Sequence, residues 1–214
     1  MFKLLLAILT LFIATPVFAH EESESIIPPR VYIRGVVYDF ETSTLTIEGE
    51  NNRNQLAAVR RAVETHGDDI DTVVMTGQGG MFNVGLDIGM IIFENEYPVV
   101  IPDDEFCVSA CAIAAIASSD LSIQGTLLFH RPFFPVIPVS ASIEEISTNI
   151  GRLYLDMTEY LLNIGYSVEL SRRLVMLTNH CAFVEIVSNE QLDSFRMGSN
   201  PISETNTRVI DRCD

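Results

Sequence analysis

After Lys3 the chain contains no lysine. That absence excludes a Ser/Lys catalytic dyad, Schiff-base chemistry and attachment of pyridoxal phosphate, since each needs a lysine amine. Basic charge of any kind is scarce: 13 Lys+Arg face 29 Asp+Glu, for a formal charge of −16. A surface this acidic repels phosphate backbones and anionic headgroups, so neither nucleic acid nor a charge-held membrane surface is an expected partner. Long apolar runs are also few. Residues 4–13 form a run of about ten, half of what a bilayer span requires. Two nucleotide signatures are missing as well. Gly77-Gln78-Gly79-Gly80 lacks the Gly-x-Gly-x-x-Gly spacing, and no Gly-Lys-Ser/Thr occurs. Only four cysteines are present, without the paired short-spacing knuckles of structural zinc sites. No cofactor and no metal is expected.

What is present begins with an export signal. Lys3, the apolar run 4–13 and Val17-Phe18-Ala19 have the order of a positive region, a hydrophobic region and a cleavage site. The chain is expected to divide into a signal peptide (1–19), a leader with the first strand (20–44), a domain (45–197) and a polar C-terminal tail (198–214). The mature product would be periplasmic or secreted, with no stable membrane anchor after cleavage. Without Lys3 its 12 arginines against 29 acids leave a charge of −17. About 195 residues suffice for one domain with a sizeable core. In an oxidising compartment the even set Cys107, Cys111, Cys181 and Cys213 reads as disulfides, with all three connectivities open. Cys107-x-x-x-Cys111 with His180-Cys181 also has metal-ligand chemistry, but the exported setting favours oxidation.

Along the chain, strands and helices alternate. Strands are expected at 31–38, 44–49, 70–76, 97–101, 105–107, 121–123, 126–129 and 183–187. A helix capped by Asn52 or Asn54 runs to His66 and stops at Gly67; others are expected at 83–93, 110–118, 142–164, 167–177 and after Ser188. In the long helix Ile143, Ile146, Ile150, Leu153, Met157, Leu161 and Ile164 form an apolar stripe that suits core or a subunit interface.

Chemistry concentrates in Cys107-Val108-Ser109-Ala110-Cys111 and Leu128-Phe129-His130-Arg131-Pro132. Ser109 stands at a sharp turn into an apolar helix, and His130 ends a hydrophobic strand about twenty residues later, as a nucleophile and its base would. Four histidines follow residue 19, namely His20, His66, His130 and His180. Only His130 combines a strand end with a suitable spacing, and His66 suits a helix C-terminus on the surface. The glycines at 77–80 sit between a strand and a helix, where backbone N–H groups can meet an oxyanion. Two cysteines bracket Ser109 at two residues on each side, so their redox state would bear on the geometry of the turn.

The succession Gly79-Gly80, Ser109-Ala110, His130-Arg131-Pro132 and Val187-Ser188-Asn189-Glu190 resembles the ClpP/crotonase superfamily, and within it exported ClpP-like proteins with a Cys-x-Ser-Ala-Cys motif. The resemblance spans roughly residues 45–197. It implies an α/β fold built as a spiral of ββα units with C-terminal helices, and hydrolysis of a peptide or protein substrate. It also implies a homo-oligomer. On it, Ser109 would be the nucleophile and His130 the general base, with oxyanion donors at Gly79 or Gly80 and at Ala110. The chain departs from the family at the third triad position, where Val184 stands in place of the acid. Substitutes nearby are Asn179, His180 and Glu185, with Asp156 or Glu159 on the long helix. An alternative follows from that gap: a catalytically silent ClpP-like module that binds peptides or protein partners. A crotonase-type acyl-CoA activity is disfavoured, because no lysine is left to meet the cofactor's phosphates.

Overall fold

The computed structural model describes residues 35–132, 140, 142–177 and 184–196. The signal peptide, most of the leader, Asn179, His180, Cys181, Cys213 and the tail lie outside the described residues. Eight strands and six α-helices follow in order: β1 (Val36–Asp39), β2 (Thr44–Asn51), α1 (Arg53–His66), β3 (Thr72–Gly80), α2 (Phe82–Glu94), β4 (Val99–Ile101), β5 (Phe106–Val108), α3 (Ala110–Ala115), β6 (Leu121–Ile123), β7 (Thr126–Phe129), α4 (Ile143–Asn163), α5 (Val168–Leu177), β8 (Val184–Ile186) and α6 (Asn189–Arg196).

The α/β class and the ββα order are both present, and the strand register shows why the chain spirals. β3 is long enough to serve two neighbours: its first half pairs with β4 (Val73↔Val99) and its second half with β5 (Gly77↔Cys107), both parallel. One turn later β6 lies beside β4 (Val99↔Leu121) and β7 beside β5 (Phe106↔Thr126). Each turn therefore adds one short strand to each of two strand rows before a helix carries the chain back. β8 closes the second row antiparallel to β7, and β1 closes the first antiparallel to β2. Valine, isoleucine and leucine fill the space between strands and helices, with Val73, Met75, Val99, Ile101, Leu127 and Phe129 all buried. Such side chains suit strands covered on both faces.

Several boundaries differ from expectation for physical reasons. The glycines at 77–80 do not leave the strand but continue β3 to its end, because parallel pairing with β2 (Asn51↔Gly80) and with β5 holds them in the ladder. Asn52 caps α1 as expected, accepting from the Asn54 and Gln55 amides. Gly67, however, keeps a right-handed φ of −52° and continues into a 3₁₀ turn (Gly67–Asp69), so α1 tightens where an abrupt left-handed stop was expected. His66 stacks on the Tyr38 ring with centroids 4.6 Å apart, a surface packing role. The stripe on α4 is only half used: Met157, Leu161 and Ile164 are buried, whereas Ile143 is 87% exposed. The C-terminal half of α4 docks through Tyr160, whose hydroxyl donates to the Ile113 carbonyl at 2.9 Å inside the core. Tyr166 donates in the same way to the Ile116 carbonyl at 3.0 Å, so two tyrosines anchor the C-terminal end of α3. No described helix is long and apolar enough to cross a membrane.

Candidate functional site

Parallel strands bring their C-terminal ends to one side, where open α/β folds collect their ligands. At that edge β5 hands over to α3 through Ser109. Its backbone is φ 58°, ψ −119°, a left-handed conformation that costs a residue with a side chain about 1–3 kcal/mol. Strand, strained serine and helix in immediate succession form the turn that presents a nucleophilic hydroxyl. The Ser109 amide is already committed, donating to the Leu128 carbonyl at 2.7 Å. It is therefore unavailable to an oxyanion. The first amide of α3, that of Ala110, has no carbonyl four residues earlier in its own helix to bond.

Gly79 fits directly against this turn. A Cβ there would collide with the Val108 carbonyl and stand 2.8 Å from Ser109 Cβ and 3.0 Å from the Ala110 nitrogen, and the φ of +82° suits only glycine. The next residue pairs with β2, and the Met81 amide donates to the Asn51 carbonyl at 2.7 Å. Behind the turn, α2 crosses α3 at Gly85, where a Cβ would stand 2.8 Å from that of Ala110. Glycine and alanine at the crossing let α2 and α3 lie in close contact.

His130 reaches the same edge by register. Val108 pairs with Leu128, so Ser109 and His130 follow at the ends of adjacent parallel strands. The imidazole Nδ1 lies 2.7 Å from the Arg131 carbonyl oxygen. A carbonyl can only accept, so Nδ1 carries the proton and Nε2 is left as the basic nitrogen. Burial pushes the imidazole below its ordinary value, with the carbonyl hydrogen bond acting as a smaller, opposite influence. The ring is thus neutral at pH 7.

The expected third members separate. Glu185 lies on β8 opposite Leu128, half-buried and two residues short of His130 in register. Val184 faces Phe129 and is buried among apolar neighbours. Asp156 and Glu159 are exposed on α4, and Asn179 and His180 lie outside the described residues. The group observed at Nδ1 is the carbonyl of the next residue along, and because a backbone oxygen carries no side-chain signature, residue types could not have announced it.

Cys107 and Cys111 are bonded to each other, with Cα atoms 5.2 Å apart, and both are buried. Cys181 and Cys213 lie outside the described residues. The bond closes a loop around Val108, Ser109 and Ala110, so it staples the strained turn from below. Closing so short a loop stabilises by about 2 kcal/mol on the chain-entropy estimate. The double variant Cys107→Ala/Cys111→Ala is expected to lose at least about that much in urea denaturation. Buried sulfurs also shield the bond: reductant added to native protein should leave no titratable thiols at these positions until urea opens the core. Rapid reduction under native conditions would contradict the buried placement.

A third polar feature adjoins the glycine turn. Gln55 donates from Nε2 to the Glu48 carbonyl at 3.0 Å, which fixes its amide so that its Oε1 accepts from Asn51 Nδ2 at 2.8 Å. The relay leaves Asn51 Oδ1 buried with no hydrogen-bond partner. Nothing in the sequence pattern marked Asn51 beyond its place before the α1 cap. Among the described residues no group of three or more His, Cys, Asp or Glu stands together as a metal site.

Comparison with known proteins finds a solved structure described as a membrane-bound stomatin-specific protease, 1510-N, in mutant form. It is 12% identical to this chain, with a TM-score of 0.49 over 69% of this chain and 73% of that one. No family model matches the chain, and no curated protein matches it.

Proposed function

We propose that the chain is an exported serine hydrolase, a peptidase, with Ser109 as nucleophile and His130 as general base. The observation that carries this reading is the strained backbone of Ser109 between β5 and α3, with Gly79 seated against it. Strain of this kind persists where the surrounding structure over-determines it and function uses it. In the proposed reaction the Ser109 hydroxyl attacks the scissile carbonyl carbon while its proton passes to His130 Nε2. The Ala110 N–H and that of Gly79 or Gly80 meet the charge on the tetrahedral oxyanion, which exists only along the reaction path. Collapse releases the amine, which takes the proton back from the imidazole, and water then hydrolyses the acyl-enzyme with the same base. The Arg131 carbonyl holds the tautomer that a carboxylate holds in a full triad.

A second reading is a peptide-binding module without catalysis. It is favoured by Val184, which puts an apolar side chain where the resemblance expects the acid.

A fluorophosphonate probe separates the two. Wild-type protein should be labelled at Ser109, and peptide mapping should find the adduct there. Because burial lowers the imidazole pKa, the labelling rate should fall in acid with a midpoint below the ordinary 6.5 of a histidine, as His130 gains its proton. A well-folded wild type that resists the probe at pH 8 would leave the binding module standing.

A further inference from the structure

Four contacts hold Ser109 in its strained conformation, and one of them is covalent. Its amide donates to the Leu128 carbonyl at 2.7 Å, and its own carbonyl accepts from the Ile113 amide at 3.0 Å. Gly79 lies against the turn, and the Cys107–Cys111 bond joins the residues two before and two after the serine. Leu128 belongs to β7 and Ile113 to α3, so the two hydrogen bonds tie the peptide groups on either side of the Ser109 Cα to different elements. Only φ and ψ of Ser109 lie between them. A displacement of α3 against the strands therefore falls on the two torsions that aim the serine side chain.

The bond fixes where α3 begins. Cys107 is the middle residue of β5, paired with Gly77 on one side and Leu127 on the other, while Cys111 stands in the first turn of α3. Both are buried. Opening the bond leaves two sulfurs that repel at bonding distance and must part to van der Waals contact. β5 is laddered on both edges and holds its place, so the short helix shifts. Ser109, at φ 58° and ψ −119°, then relaxes toward an ordinary turn, because the restraint that opposed its strain is gone.

We infer that the Cys107–Cys111 bond is a positioning element for the nucleophile: closed, it presents the Ser109 hydroxyl for reaction, and open, it leaves a folded protein with a misdirected serine. The inference rests on the hydrolase reading for what Ser109 does. Closing the bond removes two electrons and two protons from the dithiol, and a small-molecule or protein disulfide takes them up by thiol–disulfide exchange, itself becoming two thiols. A chain in a reducing compartment would therefore be silent, and oxidation after export would switch it on.

The test uses the full wild-type chain. Because the bond is buried, it is reduced with dithiothreitol in urea and diluted into native buffer with the reductant kept, and half of the sample is then re-oxidised with oxidised glutathione. Iodoacetamide trapping in urea with mass spectrometry reports the thiols, and far-UV circular dichroism reports the fold. A short-chain fluorophosphonate gives the labelling rate at saturation, kinact, and the half-saturating concentration, KI. The folded dithiol form should lose about tenfold or more in kinact with KI within about twofold, since a misplaced hydroxyl slows the chemical step more than it weakens binding. Re-oxidation should restore the rate. Cys107→Ala/Cys111→Ala should label at the dithiol rate and ignore reductant and oxidant, which separates this bond from Cys181 and Cys213. Adding Gly151→Ala to that variant should raise its urea midpoint without raising kinact, whereas a bond serving stability alone would let labelling recover with the midpoint. Equal kinact in the folded oxidised and dithiol forms, an alanine variant as reactive as wild type, recovery of labelling with Gly151→Ala, or a chain that folds only with the bond closed would each overturn the positioning role and leave the hydrolase reading in place. Oxidised wild type that resists the probe removes the hydrolase reading, and the positioning role with it.

Discussion

Alanine at Ser109 is expected to lower turnover of a peptide or activated ester by between about thirtyfold and about a millionfold, and the position within that range is informative. In serine proteases loss of the nucleophile costs about a millionfold in kcat, and loss of the acid alone roughly thirty-thousandfold. Dividing one by the other gives the lower bound, for an imidazole helped by nothing at Nδ1. Here the Arg131 carbonyl sits 2.7 Å from Nδ1 and fixes the tautomer, which is one of the two tasks of a triad acid. The other, stabilising the imidazolium by charge, it performs only in part. A drop near the lower bound would assign most of a triad acid's value to charge; a drop near the upper bound would assign it to orientation. His130→Ala should cost about as much, and the double variant no more than the worse single one, because the two residues act as a unit. Effects that multiplied across the double variant, or a His130→Ala enzyme with unchanged kcat, would remove His130 from the reaction.

Much of this architecture was legible in the residues, and what escaped did so for identifiable reasons. Asn52 before an apolar period and Ser188 before α6 announced helix starts, and each side chain accepts the backbone hydrogen bond it promised. The places of Ser109 between β5 and α3 and of His130 just past β7 were legible because each polar residue ends an apolar run. The extension of β3 through its glycines was not, since glycine normally signals a turn and only pairing with two neighbouring strands overrides that preference. The half-used stripe of α4 shows the converse limit. Periodicity says which side of a helix is apolar, but not how far along its length the core reaches. The Nδ1 partner escaped because backbone carbonyls are the same at every position.

Gly79→Ala is expected to remove about 2–5 kcal/mol of stability and to abolish probe labelling in whatever remains folded. Two costs add. A side chain at φ +82° raises the backbone energy by roughly 1–2 kcal/mol, and overpacking into a filled site costs typically 1–3 more. The atoms in the way cannot step aside, because the Val108 carbonyl, Ser109 Cβ and the Ala110 nitrogen all belong to the stapled loop between Cys107 and Cys111. Relief can come only by moving β3 away from the serine turn or by relaxing the turn, and either shifts the backbone amides around Ser109 relative to its hydroxyl. Gly151→Ala supplies the contrast. That residue lies in the exposed half of α4 with nothing within 4 Å of its ideal Cβ, so alanine should stabilise by about 0.5–1 kcal/mol through helix propensity and leave labelling unchanged. Urea midpoints and labelling rates for both variants decide the matter. A Gly79→Ala protein with a wild-type midpoint would mean that β3 does not press on the serine turn. Wild-type stability lost with labelling rate intact would mean that the contact holds the fold without shaping the site. Loss of both, with Gly151→Ala gaining stability and keeping its reactivity, ties the strain at Ser109 to the glycine that makes room for it.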